Sequence, residues 1–282
     1  PNKIFLTGTR GIGKSTLAYH LINFIFSQDE KYNYNSNDFE INDLNNSYKL
    51  LNKNIHPNFH LINIGEDKKN IEISQIREMI TYLMKSSLNN KERIILIDNV
   101  ENLNLNSLNA LLKVVEEPND NIFFILVYDN SKKLLNTLKS RCLKFNLSLS
   151  FKDSIDITNK ILNTEIFNLI NNDLIYYYNT PGELINLVNF SYINNVNLKD
   201  LNLKNFLLFL INNDYYKKDN FIKNNIYKYI ELYFLKLMKI SSTNSELNRF
   251  YNETIKNIYN MNKFNLDKES FFIQFKEKLL NE

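Results

Sequence analysis

The sequence predicts an α/β fold with a parallel sheet, followed by a region built from helices alone. Three observations carry this. Short apolar runs alternate with helical patterns up to about residue 148. Beyond residue 150 no strand pattern appears. A glycine-rich loop, 8-GTRGIGKST-16, separates the first apolar run from the first helical pattern.

The elements follow in order. The run 3-KIFLT-7 reads as a buried strand and 14–27 as a helix. Residues 29–58 are rich in Asn and Asp, with one helix near 40–53. The run 59-FHLINIG-65 reads as a second strand. Residues 74–88 form an amphipathic helix opened by a Ser74 cap. The run 93-RIILID-98 is a third strand, 106–117 a helix closed by Pro118, 122-IFFILVY-128 a fourth strand, 131–141 a helix and 142-CLKFNL-147 a fifth strand. Helical patterns then cover 151–163, 164–178, 182–195, 198–212, 218–241, 245–262 and 267–281. Their apolar residues recur at spacings of three and four, the pattern of helix packing on helix.

Composition narrows the function classes. The chain has 282 residues, a formal net charge of +3 and one cysteine, Cys142. A single cysteine excludes an internal disulfide and a four-cysteine zinc module. No run reaches the roughly 20 apolar residues of a bilayer span, and no signal pattern opens the chain; the expectation is a cytoplasmic protein without membrane association. Five Gly, two Ala, four Pro and five Arg are few for this length and point to an AT-rich genome. The places that keep these residues are therefore informative: the opening loop, Ala110 with Pro118, Arg141, and Pro181-Gly182.

Gly8, then four residues, then Gly13-Lys14-Ser15 satisfies the phosphate-loop pattern in its required strand–loop–helix context. Glycines let the backbone curl so that N–H groups converge on phosphate, and the following helix adds its positive end. Gly8, Thr9, Arg10, Gly11, Ile12, Gly13, Lys14, Ser15 and Thr16 are the candidate nucleotide-binding residues. Lys14 would reach the outer phosphates, and the Ser15 hydroxyl and Asp98 carboxylate would hold Mg²⁺. Hydrolysis also needs a group that polarises the attacking water. Asn99 follows Asp98 where a second acid would serve, and Glu101, two positions further on, is expected to point differently. An amide is no general base. The expected cofactor is ATP or ADP with Mg²⁺, bound without efficient turnover, and no zinc.

Two further segments are specific. The run 107-SLNALLKVVEEP-118 resembles the asparagine-alanine-leucine-leucine-lysine…glutamate-glutamate-proline signature of bacterial clamp-loader AAA+ subunits, and 134-LLNTLKSRCLKF-145 resembles their threonine-x-x-serine-arginine-cysteine segment. Within that family the motor (gamma/tau) branch carries four zinc-binding cysteines and an aspartate-glutamate pair at the third strand. This chain has neither and resembles the delta-prime branch of the DNA polymerase III clamp loaders. GTRGIGKSTLAYH, His56-Pro57 and 71-IEISQIREMI-80 resemble its alphaproteobacterial form. The resemblance is clear over residues 4–147.

The resemblance implies a RecA-like AAA+ core over 1–148, a helical lid over 149–197 and a helical collar for oligomerisation over 198–282. It implies gamma/tau and delta subunits as partners, and the sliding clamp and primed DNA reached through the complex. It also implies that Arg141 acts as an arginine finger in the neighbouring subunit's site. From the residues alone, an arginine capping its own helix is an equal reading. Cys142 reads as a packing residue. Three departures weaken the chain's own site: Asn99, the Asp129-Asn130 pair near the usual sensor threonine, and Glu183 where the lid's sensing arginine is expected. With only seven residues before Gly8, a base-holding N-terminal segment is expected to be trimmed or missing. The resulting expectation is an architectural clamp-loader subunit without polymerase activity of its own. An active gamma/tau-like ATPase and a stand-alone P-loop NTPase or kinase are the competing readings.

Overall fold

A computed structural model describes residues 2–65, 68, 70–85, 91–116, 121–132, 136–176, 178–240, 245–264 and 266–281. The chain forms two compact units, Pro1–Ser150 and Phe151–Glu282. In the first, β1 (Lys3–Gly8), β2 (Phe59–Ile62), β3 (Arg93–Ile97), β4 (Ile122–Asp129) and β5 (Leu143–Asn146) form one sheet in the order β2-β3-β4-β1-β5. Every pairing is parallel. Helices α1 (Lys14–Phe26), α2 (Asn46–Asn52), α3 (Ile73–Met84), α4 (Leu105–Glu116) and the short α5 (Asn136–Lys139) complete the unit.

The period-2 alternation of side chains divides the strands between two cores. Phe5, Ile95, Ile97, Phe124 and Leu126 pack with Ile76 and Met79 of α3 and Leu108 and Leu111 of α4. Their sequence neighbours Leu6, Ile94, Leu96, Ile125 and Val127 pack with Ala18 and Ile22 of α1 and Leu51 of α2. Burial on both faces explains why these strands read as continuous apolar runs. Each fully buried aliphatic or aromatic side chain contributes about 1.5–3 kcal/mol.

The second unit contains α6 (Phe151–Leu162), α7 (Ile166–Leu169), α8 (Pro181–Ile193), α9 (Leu203–Asn212), α10 (Tyr215–Lys218), α11 (Asn220–Ile240), α12 (Ser245–Phe264) and α13 (Lys268–Asn281). One core runs from Ile155 to Leu279, with Phe206, Phe234 and Phe272 among its fully buried members. The aromatic stripe of α11 is thus largely internal: Tyr229, Tyr233 and Phe234 are buried within the unit. No described helix is long and apolar enough to cross a membrane.

Several element boundaries differ from the sequence expectation for local reasons. Helix α3 begins at Ile73, ahead of Ser74, and its N-cap is Glu72, whose N–H donates to the Gln75 side chain at 3.0 Å. The span 164–178 is broken: α7 stops at Leu169, and the Asn171 side chain accepts from the Asp173 N–H, an alternative to helical bonding. Helix α9 starts late, at Leu203, because Asn202 caps it. Residues 86–88 and 133–135 of two predicted helices, together with Glu117 and Pro118, lie outside the described residues.

Arg93 supplies a bond pattern that the sequence does not announce. It is buried, and its guanidinium donates to the carbonyls of Tyr82, Leu83 and Lys85 at 2.7–3.1 Å. The negative end of α3 thus serves as counter-charge to a buried cation.

Two histidines give this unit a pH dependence. His56 stacks on Phe26 with ring centroids 4.1 Å apart, and His60 stacks on Tyr82 at 5.2 Å. Burial pushes both below the usual imidazole range, opposed in part by Glu30 and Glu78 respectively. The unfolded chain therefore takes up more protons as pH falls below about 6.5, so this stability is present above that pH and lost on acidification. The urea midpoint is expected to fall between pH 7 and 5.5. The slope should flatten in His56→Phe/His60→Phe, and an unchanged slope there would assign the dependence to other groups.

Candidate functional site

In a parallel sheet the carboxyl ends of neighbouring strands share one edge, where open α/β folds place their ligands. Here Gly8 at the end of β1 is in register with Asp129 at the end of β4, and Asp98 directly follows β3. The loop 8–16 lies at that edge. A Cβ on Gly8 would sit 2.7 Å from the Leu147 carbonyl oxygen, so only glycine fits. Gly13 holds the left-handed conformation, φ 99°, as the loop turns into α1. Helix α1 has no side-chain cap and no acidic residue in its first turn, which leaves its positive end suited to an anion.

Lys14 is buried, and its ammonium donates to the carbonyls of Gly8 at 2.8 Å and Thr9 at 2.7 Å. Burial lowers its pKa, and Asp129, Glu101 and Asp98 oppose that shift. The Ser15 hydroxyl donates to Asp98 Oδ2 at 2.9 Å. A hydroxyl and a carboxylate so close are oxygen donors of the kind Mg²⁺ prefers. Thr9, Arg10, Gly11 and Thr16 are exposed along the loop, and Ile12 is half-buried with its Cγ2 directed towards Gly8. The residues present therefore fit a nucleotide phosphate with Mg²⁺. Among the described residues, no group of three or more His, Cys, Asp or Glu side chains could hold a metal.

Glu101 turns to the end of β4 and makes no pair with Asp98 or Ser15. The three-residue 3₁₀ turn Val100–Asn102 returns its side chain to the sheet edge, where it is 1% exposed. One carboxylate oxygen accepts the Asp129 N–H at 3.1 Å, and the other lies 3.8 Å from the Lys132 ammonium. Asp129 in turn accepts from the Ser131 N–H and hydroxyl. Both carboxylates brace the end of β4. Asn99 has a backbone reason to be where it is: it adopts φ 62°, ψ 54°, the left-handed region that Asn tolerates better than most residues.

Glu183 likewise has local work. Its N–H donates to the Thr180 hydroxyl at the start of α8, its carboxylate accepts from the Thr180 N–H, and it pairs with Lys228 of α11. A capping box accounts for an acid at this position. Cys142 is half-buried against the sheet core, and burial pushes its thiol up to about 11, so it is poorly reactive.

Arg141 makes its contacts away from Lys14, Ser15 and Asp98. Its Nη1 donates to the Thr137 carbonyl at 2.6 Å, and its Nη2 pairs with Glu116 at 2.7 Å. The helix-capping contact is therefore present, together with an ion pair that the sequence reading lacked.

The parallel strand order, the glycine loop running into a helix, and Lys14, Ser15 and Asp98 at one edge define a P-loop fold of the RecA-like AAA+ class, followed here by helices. The family model described as "DNA polymerase III, delta subunit" matches residues 1–150. The chain belongs to that family. It is 28% identical over 139 residues to DNA polymerase III subunit delta' of Pseudomonas aeruginosa, covering 49% of this chain and 40% of that one. It is 37% identical over 109 residues to the delta' subunit of Buchnera aphidicola subsp. Schizaphis graminum, covering 38% and 33%. The gamma subunit of the same organism matches at 32% over 150 residues, covering 53% and 39%. These alignments span less than half the length of each relative. A gamma subunit-related protein from Thermotoga maritima shares the fold across 99% of this chain and 95% of its own, with TM-score 0.50 and 13% identity.

Proposed function

We propose that this chain is a delta-prime-like clamp-loader subunit of the DNA polymerase III holoenzyme, supporting ATP-dependent loading of the sliding clamp onto primed DNA. The observation that carries the proposal is the family match over the whole first unit, with delta' subunits among its curated relatives. In this reading, residues 1–148 are the nucleotide-binding core, 149–197 the lid and 198–282 the collar through which gamma/tau and delta subunits assemble, in the cytoplasm.

The chain's own site holds Mg²⁺ with ATP or ADP through the loop, Ser15 and Asp98, and turns it over weakly. Supporting weak turnover, the residue after Asp98 is an amide, and Glu101 is buried and engaged with Asp129 and Lys132. The subunit's chemical contribution is Arg141, presented to the adjacent motor subunit's phosphates, where a guanidinium stabilises transferring charge.

Co-purification tests the assembly. The full chain is expected to elute with gamma/tau and delta subunits as one complex that retains nucleotide. Elution as a lone monomer in their presence would favour a stand-alone P-loop enzyme. The gamma relative keeps a motor reading in play. Brisk ATP turnover by the isolated chain would select it.

A further inference from the structure

Two signature segments of this sequence converge on one contact. Residues 107–116 of the first make up most of α4; the second, 134–145, contains Arg141. Nothing in the nucleotide site uses the acidic end of α4. Yet Glu116, in its last turn, meets Arg141 Nη2 at 2.7 Å, while Nη1 is held by the Thr137 carbonyl at 2.6 Å. We propose that Glu116 is a positioning residue for Arg141: it fixes the guanidinium so that its remaining N–H groups face a neighbour's phosphate. The proposal rests on the trans-finger reading of Arg141.

Arginine has many rotamers, and each must be given up when the side chain engages a phosphate. Two anchors on different nitrogens fix both the direction and the plane of the fork, so that ordering precedes the encounter. The guanidinium has five N–H groups, of which these contacts use two. Its side chain remains 36% exposed, enough for an incoming oxygen to reach it. Lastly, a carboxylate in the last turn of a helix faces the negative end of the dipole. Glu116 sits there unfavourably unless a cation answers it, so α4 and Arg141 each supply what the other needs.

The test uses the reconstituted clamp loader and steady-state ATP hydrolysis with clamp and primed DNA. A surface pair bounds the effect, so Glu116→Ala is expected to lower kcat about two- to fivefold with KM unchanged. Glu116→Gln, which keeps an acceptor oxygen, should recover part of the loss. In an Arg141→Ala background Glu116→Ala should change nothing further, an outcome that a general packing role would not give. A normal kcat for Glu116→Ala beside a slow Arg141→Ala would overturn this proposal alone. So would an equal Glu116→Ala loss in both backgrounds. A normal rate for Arg141→Ala would sink the finger reading itself.

Discussion

Arg141→Ala is expected to slow ATP hydrolysis at the neighbouring subunit's site by about a thousandfold, the lower end of what arginine fingers contribute. That corresponds to roughly 4 kcal/mol of transition-state stabilisation. The loss should fall on kcat, because charge on the transferring phosphoryl group develops only in the transition state. Arg141→Lys should restore little, since an ammonium keeps the charge and lacks the planar fork. The folded chain should tolerate the change. The Glu116 pair and the Thr137 contact are partly exposed, and such pairs are worth at most about 1 kcal/mol. Single-turnover hydrolysis in the reconstituted complex, with assembly verified by gel filtration, reads both. Hydrolysis at the normal rate in an intact complex would leave Arg141 as a helix-capping residue only.

Lys14→Ala is expected to weaken ADP and ATP binding by the isolated chain about 30- to 150-fold. The ammonium is the buried cation at the strand ends, held over the loop by the Gly8 and Thr9 carbonyls. Charge-assisted bonds of this kind contribute about 2–3 kcal/mol, which sets that factor. The electrostatics add to the loss. Asp129, Glu101 and Asp98 all act on Lys14, and without it less positive charge offsets them against the incoming phosphates. Titration calorimetry with Mg²⁺ and nucleotide measures the effect. Equal affinity in Lys14→Ala and the parent would show that the loop is not the nucleotide site. No binding by either would mean that the cradle keeps only its shape.

The positions of β1, β3 and β4 were legible because strands buried on both faces must be apolar; β2 and β5 also lie close to their predicted runs, although β5 is exposed along its whole length. The loop was legible because phosphate binding constrains residue type and spacing together. Its consequence, Ser15 beside Asp98, is realised at 2.9 Å. Helix starts were less legible. Glu72, Asn171 and Asn202 each redirect a local hydrogen bond, and hydrophobic spacing carries no information about which polar residue does so.

Residues read by their difference from a family pattern fared differently again. Asn99 looks like a missing acid in the sequence, and in the fold it is a left-handed residue. Glu183 looks like a lost arginine, yet it closes a capping box and binds Lys228, 45 positions away. Glu101 does point differently from a second acid beside Asp98, and the 3₁₀ turn sets it against Asp129.

The sequence by itself determined the class of fold and the glycine loop between β1 and α1, because each depends on neighbours in the chain or on a spacing that one strand–loop–helix unit enforces. Only the tertiary structure decided which carboxylates surround Lys14, why Asn99 and Glu183 are acceptable, and that Glu116 holds Arg141. The carboxylates around Lys14 come from separate strand ends that the parallel sheet aligns, and the Glu183–Lys228 and Glu116–Arg141 pairs each join two elements far apart in the chain.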